Sequence, residues 1–220
     1  YIGDVTGLAA ANSVLGHVAY RQGDYPAAQS YYEISLDYYR EVEDLYGIYV
    51  LLDSLANVSH KEADYEQARI YLSECLQIGR RMGNRTFIAD SLYSLGHVSS
   101  LLNQDEEARI FFDKALRACV EIDESGKSEI AECMTGLARL QAKKRNPEKA
   151  AQLLGVVTRM QEEGGHLGSI FQDVYDHVLV ETREQLDEET FVSNRAAGKE
   201  MTLNQAIIYA LKVNSETNQL

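Results

Sequence analysis

The chain has 220 residues, 45% of them hydrophobic and 25% charged, which is ample for a packed core and excludes a disordered chain. Its formal charge of −13 argues against direct nucleic-acid binding, which rests on clustered lysine and arginine, and no apolar run has the length of a membrane span. Two prolines and no tryptophan, with abundant leucine, alanine and glutamate, favour helix throughout.

In chain order, Leu8, Ala11, Leu15, Val18 and Ala19 recur at helical spacing and predict the inward face of a first helix. Gly23-Asp24 ends it and caps a second, whose inward residues are Ala28, Tyr31, Tyr32, Ser35 and Leu36. The stretch Gly23–Tyr32 then returns as Ala63–Leu72 and Asn103–Phe112, 40 residues apart, and more loosely as Arg145–Leu154 after 42. A fixed period of this size marks a solenoid of stacked hairpins. The second unit places Leu55, Ala56, Val58 and Ser59, then Ala68, Tyr71, Leu72, Cys75 and Leu76, inward; the third places Leu95, Gly96, Val98 and Ser99, then Ala108, Phe111, Phe112, Ala115 and Leu116. Two slots stay small in every unit: Gly16, Ala56, Gly96 and Ala138 in the first helix, and Ala28, Ala68, Ala108 and Ala150 in the second.

After Gly164-Gly165 the repeat stops. Ile170, Val174, Val178, Val180 and Leu186 predict a helix over 169–186, Asp187 caps a short one to about Ala197, and Thr202 with Gln205 makes a capping box for a last helix. The expected organisation is therefore repeats over 4–43, 44–83, 84–124 and 126–163, with a capping segment over 164–220. The start at Tyr1 rather than methionine predicts a piece of a longer protein.

Catalytic and cofactor signals are weak. Gly126-Lys127-Ser128 ends like a phosphate-binding loop, but the position that needs the first glycine is Glu121. The five histidines form no pair at metal-ligand spacing, and the adjacent acids suit solvated helix ends. No enzyme activity, metal or cofactor is expected. Cys75, Cys119 and Cys133 fit buried thiols in a reducing, cytoplasmic compartment. The sequons at Asn57 and Asn84 have no signal peptide beside them and match chance.

Leu15-Gly16, Tyr25, Ala28 and Tyr32, with Leu55-Ala56, Tyr65, Ala68 and Leu72, and Leu95-Gly96, Ala108, Phe112 and Ala115, resemble the tetratricopeptide repeat. The resemblance implies an all-α, right-handed superhelix of helical hairpins, ending here in a helical cap. The usual period is 34, so the 40-residue period implies longer helices; the tryptophan slot holds Asn12, Leu52 and Leu92. In such arrays the first helix of each unit lines the concave face. On this register that face carries His17, Tyr20 and Arg21; Asp53, Asn57, His60 and Lys61; Tyr93 and His97; Arg139 and Lys143. The implied partner is a protein or peptide, or a small-molecule signal, with the tyrosines as anchors and the basic residues for an acidic group. A homodimer through the N-terminal end is a further expectation.

Ala150–Gly155, Phe191 within Glu188–Phe191, and Ala197–Ala206 look like the closing segment of large bacterial signal-transduction ATPases, of the LuxR-like and adenylate-cyclase-linked kinds. That resemblance implies the sensor end of a multidomain transcriptional or cyclase regulator. The alternatives are a free-standing adaptor and an oligomerisation arm.

Overall fold

The structure, a computed structural model, describes residues 2–120, 127–164, 167 and 169–215. All regular structure in them is α-helical: α1 (Ile2–Gln22), α2 (Tyr25–Glu41), α3 (Leu45–Lys61), α4 (Tyr65–Met82), α5 (Arg85–Leu101), α6 (Asp105–Val120), α7 (Lys127–Lys143), α8 (Pro147–Glu162), α9 (Ser169–Glu184), α10 (Glu188–Lys199) and α11 (Leu203–Ser215). The chain forms two compact units, 1–102 with α1 to α5 and 103–220 with α6 to α11. From α1 to α5 in the first unit and from α6 to α8 in the second, successive helices pack as hairpins, and α9, α10 and α11 pack on α8, the architecture expected of the repeats. The end of the third repeat and Gly126 lie outside the described residues.

The turns explain the period. A residue with left-handed φ stands at Gly23, Glu43, Ala63, Gly83 and Asn103, every twentieth position. After the first four comes a capping side chain. Asp24 Oδ1 accepts from the Ala27 amide at 3.1 Å, Asp44 Oδ1 from Tyr46 and Gly47 at 3.1 and 3.2 Å, Asp64 Oδ1 from Gln67 at 3.1 Å, and Asn84 Oδ1 from Phe87 at 3.2 Å. One backbone reversal and one cap thus end one helix and start the next. Between these turns α2, α3 and α5 run 17 residues and α4 runs 18, so the added length of the 40-residue period lies in the helices.

In the first unit the small slots work as expected. Ala28 and Ala68 are fully buried, and Ala56 nearly so. A methyl group on Gly16 would strike the Tyr32 ring, and one on Gly47 the Tyr39 ring. The Ser35 hydroxyl donates to the Ala9 carbonyl at 2.6 Å, tying α2 to α1. Around them Tyr32, Leu36, Leu51, Leu52, Leu55, Val58, Cys75 and Ile78 form one buried cluster.

The first helix departs from expectation. Ala9, Gly16 and Ala19 are buried, whereas Leu8, Leu15 and Val18 are 48%, 47% and 48% exposed and Ala11 is exposed as well. The reason is packing. Close approach of Tyr32 and Ser35 requires the small face of α1, so the larger apolar residues turn away. Their counterparts one period on, Ile48, Leu51, Leu55 and Val58, are buried, because α3 has both α2 and α4 packed on it.

In the second unit α8 is the centre, touching α7, α9, α10 and α11. Ala108, Ala138 and Ala150 are fully buried there. The inward face of α9 is Phe171, Tyr175, Val178 and Thr182; Val180, expected inward, is 58% exposed, since it lies two positions from Val178 on a helix. Ile170 has no described side chain. Asp187 Oδ1 caps α10 through the Thr190 amide at 2.9 Å. The capping box of α11 forms, with Thr202 Oγ1 accepting from the Gln205 amide at 3.3 Å and Gln205 Oε1 from the Thr202 amide at 2.8 Å.

The backbones of α8 and α10 approach each other closely. A Cβ on Gly155 would run into the Arg195 carbonyl, and one on Gly198 into the Gln152 carbonyl. Both obstacles are main chain, so a side-chain shift cannot relieve them. Gly198→Ala is therefore expected to lower stability by about 1–3 kcal/mol in urea unfolding, and an unchanged midpoint would contradict this crossing.

Candidate functional site

The helices α1, α3 and α5 are the first helices of their hairpins, and repeat register puts equivalent residues in rows along them. His17, Asn57 and His97 hold one slot, Ser13, Asp53 and Tyr93 another, and Arg21 and Lys61 a third. Four of the expected site residues meet in space. His17, Tyr20, Asp53 and Asn57, with Tyr32 and Ser54, line a pocket of about 180 Å³.

Each wall is held in place by local chemistry. His17 Nδ1 lies 2.8 Å from the Ser13 carbonyl and so carries the proton there. Its ring meets Tyr32 edge-on, centroids 5.2 Å apart. Tyr20 packs on Tyr25 at 5.6 Å. Burial raises the Tyr20 hydroxyl above its ordinary range, helped by Tyr25 and then by the Asp53 charge. Burial likewise pushes Tyr32 up to about 12, against a hydrogen bond with Ser54 that lowers it. Asn57 Nδ2 donates to the Asp53 carbonyl at 3.0 Å and to its carboxylate at 3.2 Å.

Asp53 is the unusual group. Burial pushes its carboxyl up to about 6, and the one opposing influence is the Asn57 hydrogen bond. No described cation pairs with it. Sequence reasoning placed Tyr32 in the core only, and Ser54 nowhere. The signal for Tyr32 was that its slot holds Leu72 and Phe112 in the next two units, so only this copy brings a hydroxyl.

The remaining residues of the face have other roles. His60 Nε2 and His97 Nε2 are 3.2 Å apart, close enough for one neutral ring to donate to the other and tie α3 to α5. Burial lowers the His60 pKa, and the Lys61 charge adds to this. His97 is buried and Tyr93 half-buried, while Arg21 and Lys61 are exposed. Arg139 and Lys143 belong to the second unit. Lys143, expected to receive an acidic ligand, is already engaged: its Nζ lies 2.7 Å from Asp105 Oδ1. The structure thus brings together the carboxylate, amide and aromatic members of the expected set rather than its cations. Among the described residues no three metal-ligating side chains converge. The three cysteines are buried, and burial raises the Cys75 thiol well above its usual value.

The Asp53 shift fixes a pH dependence. The folded value of about 6 lies above the ordinary value of 3.8, so the folded chain holds this proton more tightly than the unfolded one. Its contribution favours folding below pH 3.8 and is lost as pH rises through 6. Asp53→Asn is expected to be about 1–3 kcal/mol more stable than the parent at pH 7, with the difference shrinking as the pH falls towards 4. Thermal melts across that range measure it; a variant less stable at pH 7 would contradict the assignment.

Comparison with known proteins agrees with the repeat fold. The sequence profile of the family described as tetratricopeptide repeat matches residues 7–81 and 47–119, together more than half of the chain. No curated protein matches the sequence. Among solved structures, the crystal structure of BtubC (BKLC) from P. vanneervenii is similar in fold, with a TM-score of 0.65 at 17% identity, over 98% of this chain and 83% of that one. The profile match and the hairpin packing carry one conclusion: the chain belongs to the tetratricopeptide repeat family.

Proposed function

We propose that the chain is a protein-interaction module that holds a segment of a partner along the inner faces of α1, α3 and α5. Tetratricopeptide repeats are protein-interaction scaffolds and generally not enzymes. The observation that carries the finer reading is the pocket lined by His17, Tyr20, Asp53 and Asn57, in which polar and aromatic groups from two successive repeats converge. A photo-crosslinking residue placed at Asn57 is expected to capture a partner that the same residue placed at Ile70, which is exposed on α4, does not. Equal capture at the two positions would contradict the inner-face assignment.

The wider setting we propose is the C-terminal sensor portion of a multidomain bacterial regulator of transcription or of a cyclase, with four repeats over 1–163 and a cap over 164–220. The likeness of Ala150–Gly155, Phe191 and Ala197–Ala206 to such regulators supports it, as does the packing of α9 and α10 on the α7–α8 hairpin. An immunoblot of source cells should show a band several times heavier than the 24.7 kDa of this chain. A band near that mass would refute the regulator setting and favour a free-standing adaptor.

A further inference from the structure

The pocket lined by α1, α2 and α3 has a definite charge preference, and it is the reverse of the one expected from the basic residues on the same face. Asp53 is the only formally charged acid or base among its six lining residues. Among the described residues its carboxylate receives one side-chain hydrogen bond, from Asn57 at 3.2 Å, and no ion pair. Arg21 and Lys61 each stand one helical turn beyond the pocket residues His17 and Asn57, and neither forms an ion pair with Asp53 among the described residues. A carboxylate drawn out of water without a counter-charge is unfavourable, and burial accordingly raises its affinity for a proton.

The repeat itself does not require the acid. Its slot is filled by Ser13 one period earlier and by Tyr93 one period later, and the helices form and pack around all three. The wall adds to the preference, because Tyr20 offers an aromatic ring to a cation. A net charge of −13 also draws basic partners towards the chain.

We propose that this pocket seats a lysine or arginine side chain of the bound partner, its cationic head against the Asp53 carboxylate and its aliphatic stem along the Tyr20 ring. The proposal rests on the inner-face assignment above and names the chemistry that the face selects. Asn57 orients the carboxylate through its hydrogen bond, and His17 turns Nδ1 to the Ser13 carbonyl and adds no carboxylate to the pocket. The ligand therefore meets one negative charge.

The test selects from a library of randomised short peptides against the intact chain and then measures individual peptides by fluorescence polarisation. Peptides with a lysine or arginine at a fixed position should be enriched. Replacing that lysine by norleucine, which keeps the stem and removes the charge, should weaken binding to the parent chain about tenfold. Asp53→Asn should bind the two peptides equally. The norleucine comparison uses the unmodified chain and so does not depend on the variant folding. Enrichment of acidic peptides whose binding is lost in Asn57→Ala would overturn the cation preference while leaving the inner face as the binding site. Peptides insensitive to both Asn57→Ala and Tyr20→Ala, or no enrichment at all, would overturn both.

Discussion

Close approach of helix backbones at small-residue slots is the constraint on which the rest of this structure depends. Ala28, Ala68, Ala108 and Ala150 are each fully buried, and each stands five residues after a turn residue with left-handed φ, namely Gly23, Ala63, Asn103 and Arg145. A larger side chain there would push neighbouring helices apart. With the approach fixed, Tyr32 and Phe112 fill the space beside Gly16 and Gly136, and the register of each hairpin follows. The same device holds the second unit together, where Gly155 and Gly198 let α8 and α10 meet backbone to backbone.

Register is what turns packing into a recognition surface. Once one side of α3 is committed to Leu51, Leu52, Leu55 and Val58, the residues left facing the other way are Asp53, Asn57 and His60. Their neighbours on α1 and α5 are fixed by the same repeat. A pocket therefore arises at the junction of two successive hairpins within the first unit without any loop to build it. Its chemistry is free to vary, because Ser13, Asp53 and Tyr93 all satisfy one structural slot. This separation of a constant packing side from a variable inner side lets one fold carry many specificities.

Most of the fold was legible because period and capping are local signals. The turns at Gly23-Asp24 and Ala63-Asp64, the cap at Asp187 and the capping box at Thr202 all formed as their residues suggested. Two faces were only partly legible. On α1 Ala19 and the small slot at Gly16 were read correctly, but Leu8, Ala11, Leu15 and Val18 suggested the core and it took Ala9 instead, since small residues are chosen where a neighbouring ring must come close. On α9 Val180 was drawn in by its hydrophobicity, although Phe171, Tyr175 and Val178 already complete the buried face. At the candidate site, repeat position brought out His17, Tyr20, Asp53 and Asn57. It gave no account of charge, because the pairing of Lys143 with Asp105 and the lone state of Asp53 depend on which side chains reach one another in three dimensions.

The central claim, that the alanine slots set the register from which everything else follows, is tested most directly by thermal unfolding of Ala68→Leu. Overpacking at this fully buried position should cost about 1–3 kcal/mol and lower the melting temperature by several degrees. A melting temperature equal to that of the parent chain would mean that α4 does not approach its neighbours at Ala68, and the register described for the inner face would fall with it.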